Sequence, residues 1–170
     1  MNKNNIYVQD NFFEDNFFQK LKGEVVLLDF EARYSSDPKG NVYQRNYHHV
    51  SIKSDALVYG EVIKKIKKFF NFSVKQMTSS YFLSFPNTPA IPHADPGLYN
   101  CLIYLVGDKL VNNGTGFYEK IDDKGNFSLH THIGFKENRA IFFDSSIGHS
   151  PLQFAGNSTP RYVMANFIDD

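Results

Sequence analysis

The chain has 170 residues and a formal net charge of zero, with 42% hydrophobic residues and a high aromatic share carried by 17 Phe and 10 Tyr. That length suits one domain around one hydrophobic core, and the charge balance lacks the excess of Lys and Arg that a nucleic-acid partner requires. No run approaches the length of a membrane span, the opening Met1-Asn2-Lys3-Asn4-Asn5 has no apolar stretch of signal type, and Cys101 is the only cysteine, so a cytoplasmic protein without disulfides or membrane contact is expected.

In chain order, Glu14 to Leu21 reads as a short helix, and the apolar run Val25 to Phe30 as a strand. Asp37-Pro38-Lys39-Gly40-Asn41 is a turn signal. The polar and aromatic stretch Tyr34 to His49 around it reads as a loop able to cover a site, with Arg45, Tyr47 and His49 as candidate substrate contacts. Ser54 or Asp55 can cap a helix running to about Phe70. Its residues Val58, Val62, Ile63, Ile66, Phe69 and Phe70 keep the helical period and form one buried stripe, which makes Lys64-Lys65-Ile66-Lys67-Lys68 the solvated face.

From about Ser73 to Ile168 the pattern changes to short β-rich runs between turn residues. Strands are expected near 74–85, 90–94, 99–106, 115–121, 127–134, 139–144, 147–153 and 160–168. Aromatic and β-branched residues suit such half-buried pleated surfaces. The expected fold is therefore mainly β, a jelly-roll or cupin-like barrel, with N-terminal helices packed on one outer face. We expect a single domain over 1–170, with a helical part to about 72 and a β core over about 73–168. Cys101, inside the apolar run Leu98 to Val106, reads as a small core residue.

Ile91-Pro92-His93-Ala94-Asp95-Pro96 contains a His-x-Asp pair. Residues two apart on a strand share a face, so an imidazole and a carboxylate can converge there. Alone this pair is weak evidence. His149 follows the apolar strand Phe142-Phe143 and is flanked by Gly148 and Ser150, which suits a barrel mouth. Two His and one carboxylate make the facial triad of non-haem Fe(II) oxygenases, which leaves metal positions open for an oxo acid and O₂. Arg161 comes twelve residues later, beyond the turn signal Gly156-Asn157-Ser158. An Arg in an apolar strand needs a partner, either an acidic neighbour or a ligand carboxylate.

As a set, these residues resemble the 2-oxoglutarate/Fe(II) dioxygenase superfamily, in particular its prolyl-4-hydroxylase-like branch. The resemblance covers about residues 76 to 168. It is carried by Pro92-His93-Ala94-Asp95, Cys101-Leu102-Ile103-Tyr104-Leu105, Asn113-Gly114-Thr115-Gly116-Phe117-Tyr118, Ile141-Phe142-Phe143-Asp144, His149 and Arg161-Tyr162. It implies a double-stranded β-helix whose open end holds Fe(II) on His93, Asp95 and His149. It implies that Arg161 holds the distal carboxylate of 2-oxoglutarate with Tyr104 sharing it, and alternation puts Asn100 and Leu102 on the face of Tyr104, which makes Asn100 a further expected cosubstrate contact. Val163, Ala165 and Phe167 would follow Arg161 inward. The implied reaction is hydroxylation of a small molecule or a peptidyl side chain by O₂, with succinate and CO₂ as coproducts and the iron centre itself as the catalyst. Where the family often carries a Tyr before His-x-Asp, this chain reads Ser84-Phe85-Pro86-Asn87, so either Phe85 stands in for that residue or Tyr81 completes the pocket.

Two other readings compete. His130-Thr131-His132 could seed a cupin-like metal site with different chemistry, although an exposed outer strand explains that pair as well. A non-catalytic binding module on the same fold would be marked by loss of a metal ligand. His48 and His49 would point to opposite strand faces and suit no shared metal.

Overall fold

The computed structural model describes residues 5–36, 40, 42–85, 92–110, 113–120, 122, 126–153 and 159–169. The elements are β1 (Tyr7–Gln9), α1 (Asp15–Val25), β2 (Glu31–Ser36), β3 (Val42–Ile52), α2 (Leu57–Phe70), β4 (Gln76–Ser84), β5 (Tyr99–Val106), β6 (Asn113–Lys120), β7 (Phe127–Gly134), β8 (Ala140–Asp144), β9 (Gly148–Gln153) and β10 (Arg161–Asp169). A seven-stranded antiparallel sheet runs β1-β8-β5-β10-β4-β3-β2, and a three-stranded sheet runs β7-β6-β9.

Strand alternation divides the large sheet into two faces. One face sends Met77 and Tyr81 from β4, Cys101, Ile103 and Leu105 from β5, Phe142 from β8, and Met164 and Ile168 from β10 against the helices. There they meet Phe18, Leu21 and Val25 of α1 and Val62, Ile66 and Phe70 of α2, so both helices cover one face. Phe142 is fully buried and stacks on Phe70 at 4.9 Å and Tyr99 at 5.3 Å. The other face sends Leu102, Tyr104, Ile141, Phe143, Val163 and Ala165 toward Phe117 of the small sheet and Phe135 just after β7. Two facing antiparallel sheets, with helices outside the larger one, are the expected barrel architecture. Cys101 is a buried core residue, as its surroundings suggest. No helix among the described residues is long and apolar enough to cross a membrane.

Several local expectations are corrected. Val25 to Phe30 is not a strand: α1 continues to Val25, and the amides of Leu27 and Leu28 bond the carbonyls of Glu24 and Val25. A short apolar run does not distinguish a helix end from a strand, and here Leu27 is left 84% exposed. Tyr34 to His49 is not a free loop but most of the β2–β3 hairpin, which extends the large sheet beyond β4. Most of its turn signal lies outside the described residues. With β1 added, the N-terminal part contributes three strands as well as two helices. α2 begins at Leu57 behind Ala56, so neither Ser54 nor Asp55 caps it with a side chain. Lys65 is buried on the α1 side, where its ammonium donates to Glu14 at 2.7 Å; only Lys64, Lys67 and Lys68 of the basic run are exposed. Residues 86–91 lie outside the described set, and of the expected strand 90–94 only His93 shows pairing, as a single bridge to His149.

Asp10 anchors the segment before α1. It accepts from Arg139 Nε at 2.6 Å and from Lys136 Nζ at 2.7 Å. The Arg139 hydrogen bond, opposed by partial burial and aided by Lys136, holds the Asp10 carboxyl down at about 2 from an ordinary 3.8. A depressed folded pKa stabilises the fold above the unfolded value, and that contribution disappears as pH falls through the folded value. Asp10→Asn is therefore expected to be less stable than wild type above about pH 4. The two proteins should converge between pH 4 and pH 2 in urea unfolding at stepped pH; a constant gap would disprove the pairing. Phe142→Ala should cost about 3–5 kcal/mol in the same measurement at neutral pH.

Candidate metal centre

Main-chain pairing brings the two histidines together. His93 N donates to His149 O at 3.0 Å and His149 N to His93 O at 2.9 Å, while Asp95 N is tied to Ser145 O at 3.1 Å. One donor atom from each of His93, Asp95 and His149 lies within 4.8 Å of the others. His149 Nε2 stands 3.1 Å from Asp95 Oδ2, and His93 Nε2 stands 3.6 Å from Asp95 Oδ1. Ligands at right angles on a metal with bonds near 2.1 Å are about 3 Å apart, so the set needs little contraction to close on an ion.

The ring of His149 is buried between Phe143, edge-on at 4.8 Å, and Phe117 at 6.3 Å. Its Nδ1 lies 3.0 Å from the Ile147 carbonyl. A carbonyl only accepts, so Nδ1 carries the proton and Nε2 is the metal-facing nitrogen. A neutral His149 then sets two lone pairs against each other at the Asp95 contact. Only a proton or a metal ion between them makes that contact favourable. Burial raises the Asp95 carboxyl, but a positive charge at His149 and His93, the same role a bound cation would fill, together with the Asn100 amide outweighs burial and brings it below its ordinary range. His93 is the accessible member, with its side chain 49% exposed.

Asn100 is fully buried, and its amide donates to Asp95 Oδ2 at 2.8 Å. It thus stands beside the triad carboxylate rather than on the wall of the adjoining cavity. Sequence reasoning placed it with the cosubstrate; its short spacing from Asp95 on an entering strand was the overlooked signal.

A cavity of about 110 Å³ adjoins the triad, and Arg161 lines it together with His93, Asp95 and His149. The walls are mainly apolar, from Phe82, Leu102, Val163, Ala165 and Phe167. Val163, Ala165 and Phe167 therefore do follow Arg161 inward. Arg161 is 5% exposed. Its Nη1 donates to the Gly114 carbonyl, its Nε has no hydrogen-bond partner, and no acidic side chain among the described residues pairs with it. Burial pulls its pKa down, with Tyr104 opposing. Gly114 takes φ 151°, and a Cβ there would run into the Ile133 carbonyl of β7.

Tyr104 is fully buried beneath this arginine, whose Cζ lies 5.8 Å from the ring. Its hydroxyl reaches Thr115 Oγ1 at 2.7 Å and the Ile133 carbonyl at 3.2 Å, and burial pushes its pKa up to about 12. Thr115 lines the cavity; Tyr104 does not.

The remaining expectations divide. Tyr47 lines the cavity. His49, two residues along, packs 6.3 Å from Phe82 and is not on the wall. Arg45 lies on β3, but its side chain is outside the described residues. Tyr81 is corrected: it faces the helices, in the outer core. Phe85 is 42% exposed and packs edge-on to His48 at 5.3 Å, so it does not complete the cavity either. The β4 residues on the wall are Phe82 and Ser84, which sequence reasoning missed. Their signal was alternation from Arg161, readable only once the Arg161–Ser84 register is known. His130 sits 3.6 Å from Glu119 on an exposed edge and is not one of the three clustered ligand residues, and His132 is half-buried.

No protein-family model matches the chain, and no curated protein sequence does. Solved structures do. A prolyl hydroxylase from Trichoplax adhaerens, in complex with a hypoxia-inducible-factor oxygen degradation domain peptide, aligns over 99% of this chain and 85% of its own with TM-score 0.65 and 14% identity. A prolyl-4-hydroxylase from Pseudomonas putida aligns over 98% and 94% with TM-score 0.65 and 12% identity. HygX from Streptomyces hygroscopicus, with nickel, 2-oxoglutarate and hygromycin B bound, aligns over 96% and 82% with TM-score 0.65 and 11% identity. At these identities the likeness shows a shared fold, the double-stranded β-helix that the sequence led us to expect.

If Asn100 orients Asp95, Asn100→Ala should weaken divalent metal binding roughly 10- to 100-fold, as removal of a ligand's supporting hydrogen bond does. Anaerobic Fe(II) or Mn(II) titration measures this, and an unchanged affinity would refute the orienting role.

Proposed function

We propose that this protein is an Fe(II)- and 2-oxoglutarate-dependent dioxygenase, acting as a hydroxylase on a small molecule or a peptidyl side chain. The observation that carries the reading is one cavity lined by both a His-Asp-His set and a buried arginine without an acidic partner among the described residues. The first calls for a metal and the second for an anion. A 2-oxo diacid meets both needs, because one end chelates and the other is a carboxylate.

His93 and His149 would supply neutral imidazole nitrogens and Asp95 one carboxylate oxygen. When bound, Fe(II) with 2-oxoglutarate supplies O₂ activation and C–H hydroxylation, with succinate and CO₂ as coproducts. The protein's own residues do the positioning. Asn100 and the Ile147 carbonyl hold Asp95 and His149 in their orientations. Arg161 binds the distal carboxylate through its free edge and so fixes how far the cosubstrate reaches. Phe82, Leu102, Val163 and Phe167 keep water from the bound chain. The cavity's volume of about 110 Å³ suits one small cosubstrate, so the oxidised molecule would approach from the exposed His93 side. Proteins of this fold have been solved with a peptide and with hygromycin B, which supports either substrate kind.

Anaerobic Fe(II) protein titrated with 2-oxoglutarate is expected to develop a weak visible charge-transfer band, and air should then release succinate slowly. His149→Ala should lose the band. Arg161→Ala should weaken 2-oxoglutarate binding by roughly tenfold or more, the scale of a charge-assisted hydrogen bond. No band and no succinate from wild type would end the enzyme reading.

A further inference from the structure

The helix side of the large sheet has an opening of its own. A groove of about 430 Å³ lies between α1, β3 and the start of α2, on the face opposite the metal cavity. Phe17, Leu21, Val50 and Val58 give it apolar walls. Leu57 and Leu28 also line it and are 73% and 37% exposed, so apolar surface continues to the mouth. The charged side chains that line it, Lys20, Lys53, Glu24 and Asp55, are all exposed and balance in sign. Lys20 and Glu24 already pair at 3.8 Å.

The polar groups further in do not balance. Tyr81 reaches the groove from β4, opposite Val50. It is 8% exposed, and its hydroxyl makes no hydrogen bond among the described residues. Burial, aided by the Glu24 charge, pushes the phenol's pKa up, so it stays a donor. The second set of donors is the start of α2, a helix of 14 residues. Ala56 has the extended backbone of a capping residue, φ −66° and ψ 140°, but its methyl group accepts nothing, and the first turn has no acidic residue. The amides of Tyr59 and Gly60 bond the Ala56 carbonyl, whereas those of Leu57 and Val58 have no acceptor among the described residues. Ala56, Leu57 and Val58 all line the groove. Unpaired amides at a helix start carry partial positive charge and favour an anion over a neutral acceptor.

We propose that this groove is a second ligand site, for a carboxylate on a compact apolar body. The carboxylate accepts from the first amides of α2 and from the Tyr81 hydroxyl, and the body lies along Phe17, Leu21, Val50 and Val58. The site needs no metal, and it stands whether or not the metal cavity takes 2-oxoglutarate.

The test is isothermal titration calorimetry of the full chain in chelator, with octanoate as the probe. Octanoate is expected to bind, and octan-1-ol, with the same tail and no carboxylate, should bind about tenfold more weakly or worse. Tyr81→Phe removes only the hydroxyl and should weaken octanoate about tenfold. Ala56→Asp gives α2 the side-chain cap it lacks. Its melting temperature should rise while octanoate affinity falls by about tenfold or more, because the cap takes the same amides. Arg161→Ala should bind octanoate as wild type does. The assignment is overturned by no octanoate binding at millimolar concentration, by equal affinity for octan-1-ol, or by wild-type affinity in either Tyr81→Phe or Ala56→Asp. Loss of binding in Arg161→Ala overturns it as well, since the acid would then sit in the metal cavity.

Discussion

β10 lies between β4 and β5, and its residues divide between two environments that could hardly differ more. Met164 and Ile168 are packed under the helices, while Arg161, Val163, Ala165 and Phe167 line a cavity. Period-two alternation imposes this, and its neighbours must obey it in register. Ser84, Phe82 and Leu102 therefore share the cavity because Arg161, Val163 and Ala165 do. A one-residue slip of β10 would turn the guanidinium to the helix side of the sheet, into the place of Tyr162 beside Leu83, Val106 and Phe30. The helix-side core thus holds the register that the cavity depends on.

Two electrostatic arrangements at that cavity are costly in the protein alone. Asp95 and a neutral His149 set acceptors against each other at 3.1 Å. Arg161 is buried with a main-chain carbonyl as its hydrogen-bond acceptor and no acidic partner among the described residues. A buried unpaired charge costs stability, so folding keeps such a group only when something else in the system compensates it. A metal ion relieves the first arrangement and a carboxylate the second. The surrounding contacts serve these two points: Asn100 restrains Asp95, the Ile147 carbonyl orients His149, and the Gly114 carbonyl accepts from Arg161.

Much of this was legible in the sequence. His93, Asp95 and His149 are identified by residue type and order, Arg161 by its cost inside an apolar strand, and the inward set Val163, Ala165 and Phe167 by alternation alone. Apart from 90–94, the strands of the second half fall within a few residues of their expected places. These are local properties, carried by the chain whatever packs against it.

Other features depend on what packs against what. The apolar run after α1 reads as a strand until the helix-side core shows α1 continuing to Val25. Lys65 reads as solvated until Glu14 of another element is found beside it. Tyr34 to His49 becomes a hairpin because β4 offers an edge to pair with. Tyr81 faces the helices rather than the cavity, and Ser84 enters the wall, because the β4–β10 register determines which face of β4 is inward. The direction of the Tyr104 hydroxyl depends on where the small sheet lies. The sequence by itself determined which side chains can ligate a metal and hold an anion, since that is chemistry of residue types. Tertiary structure decided which hydroxyls and amides stand beside them, since register and the approach of one sheet to another are long-range contacts that no local pattern encodes.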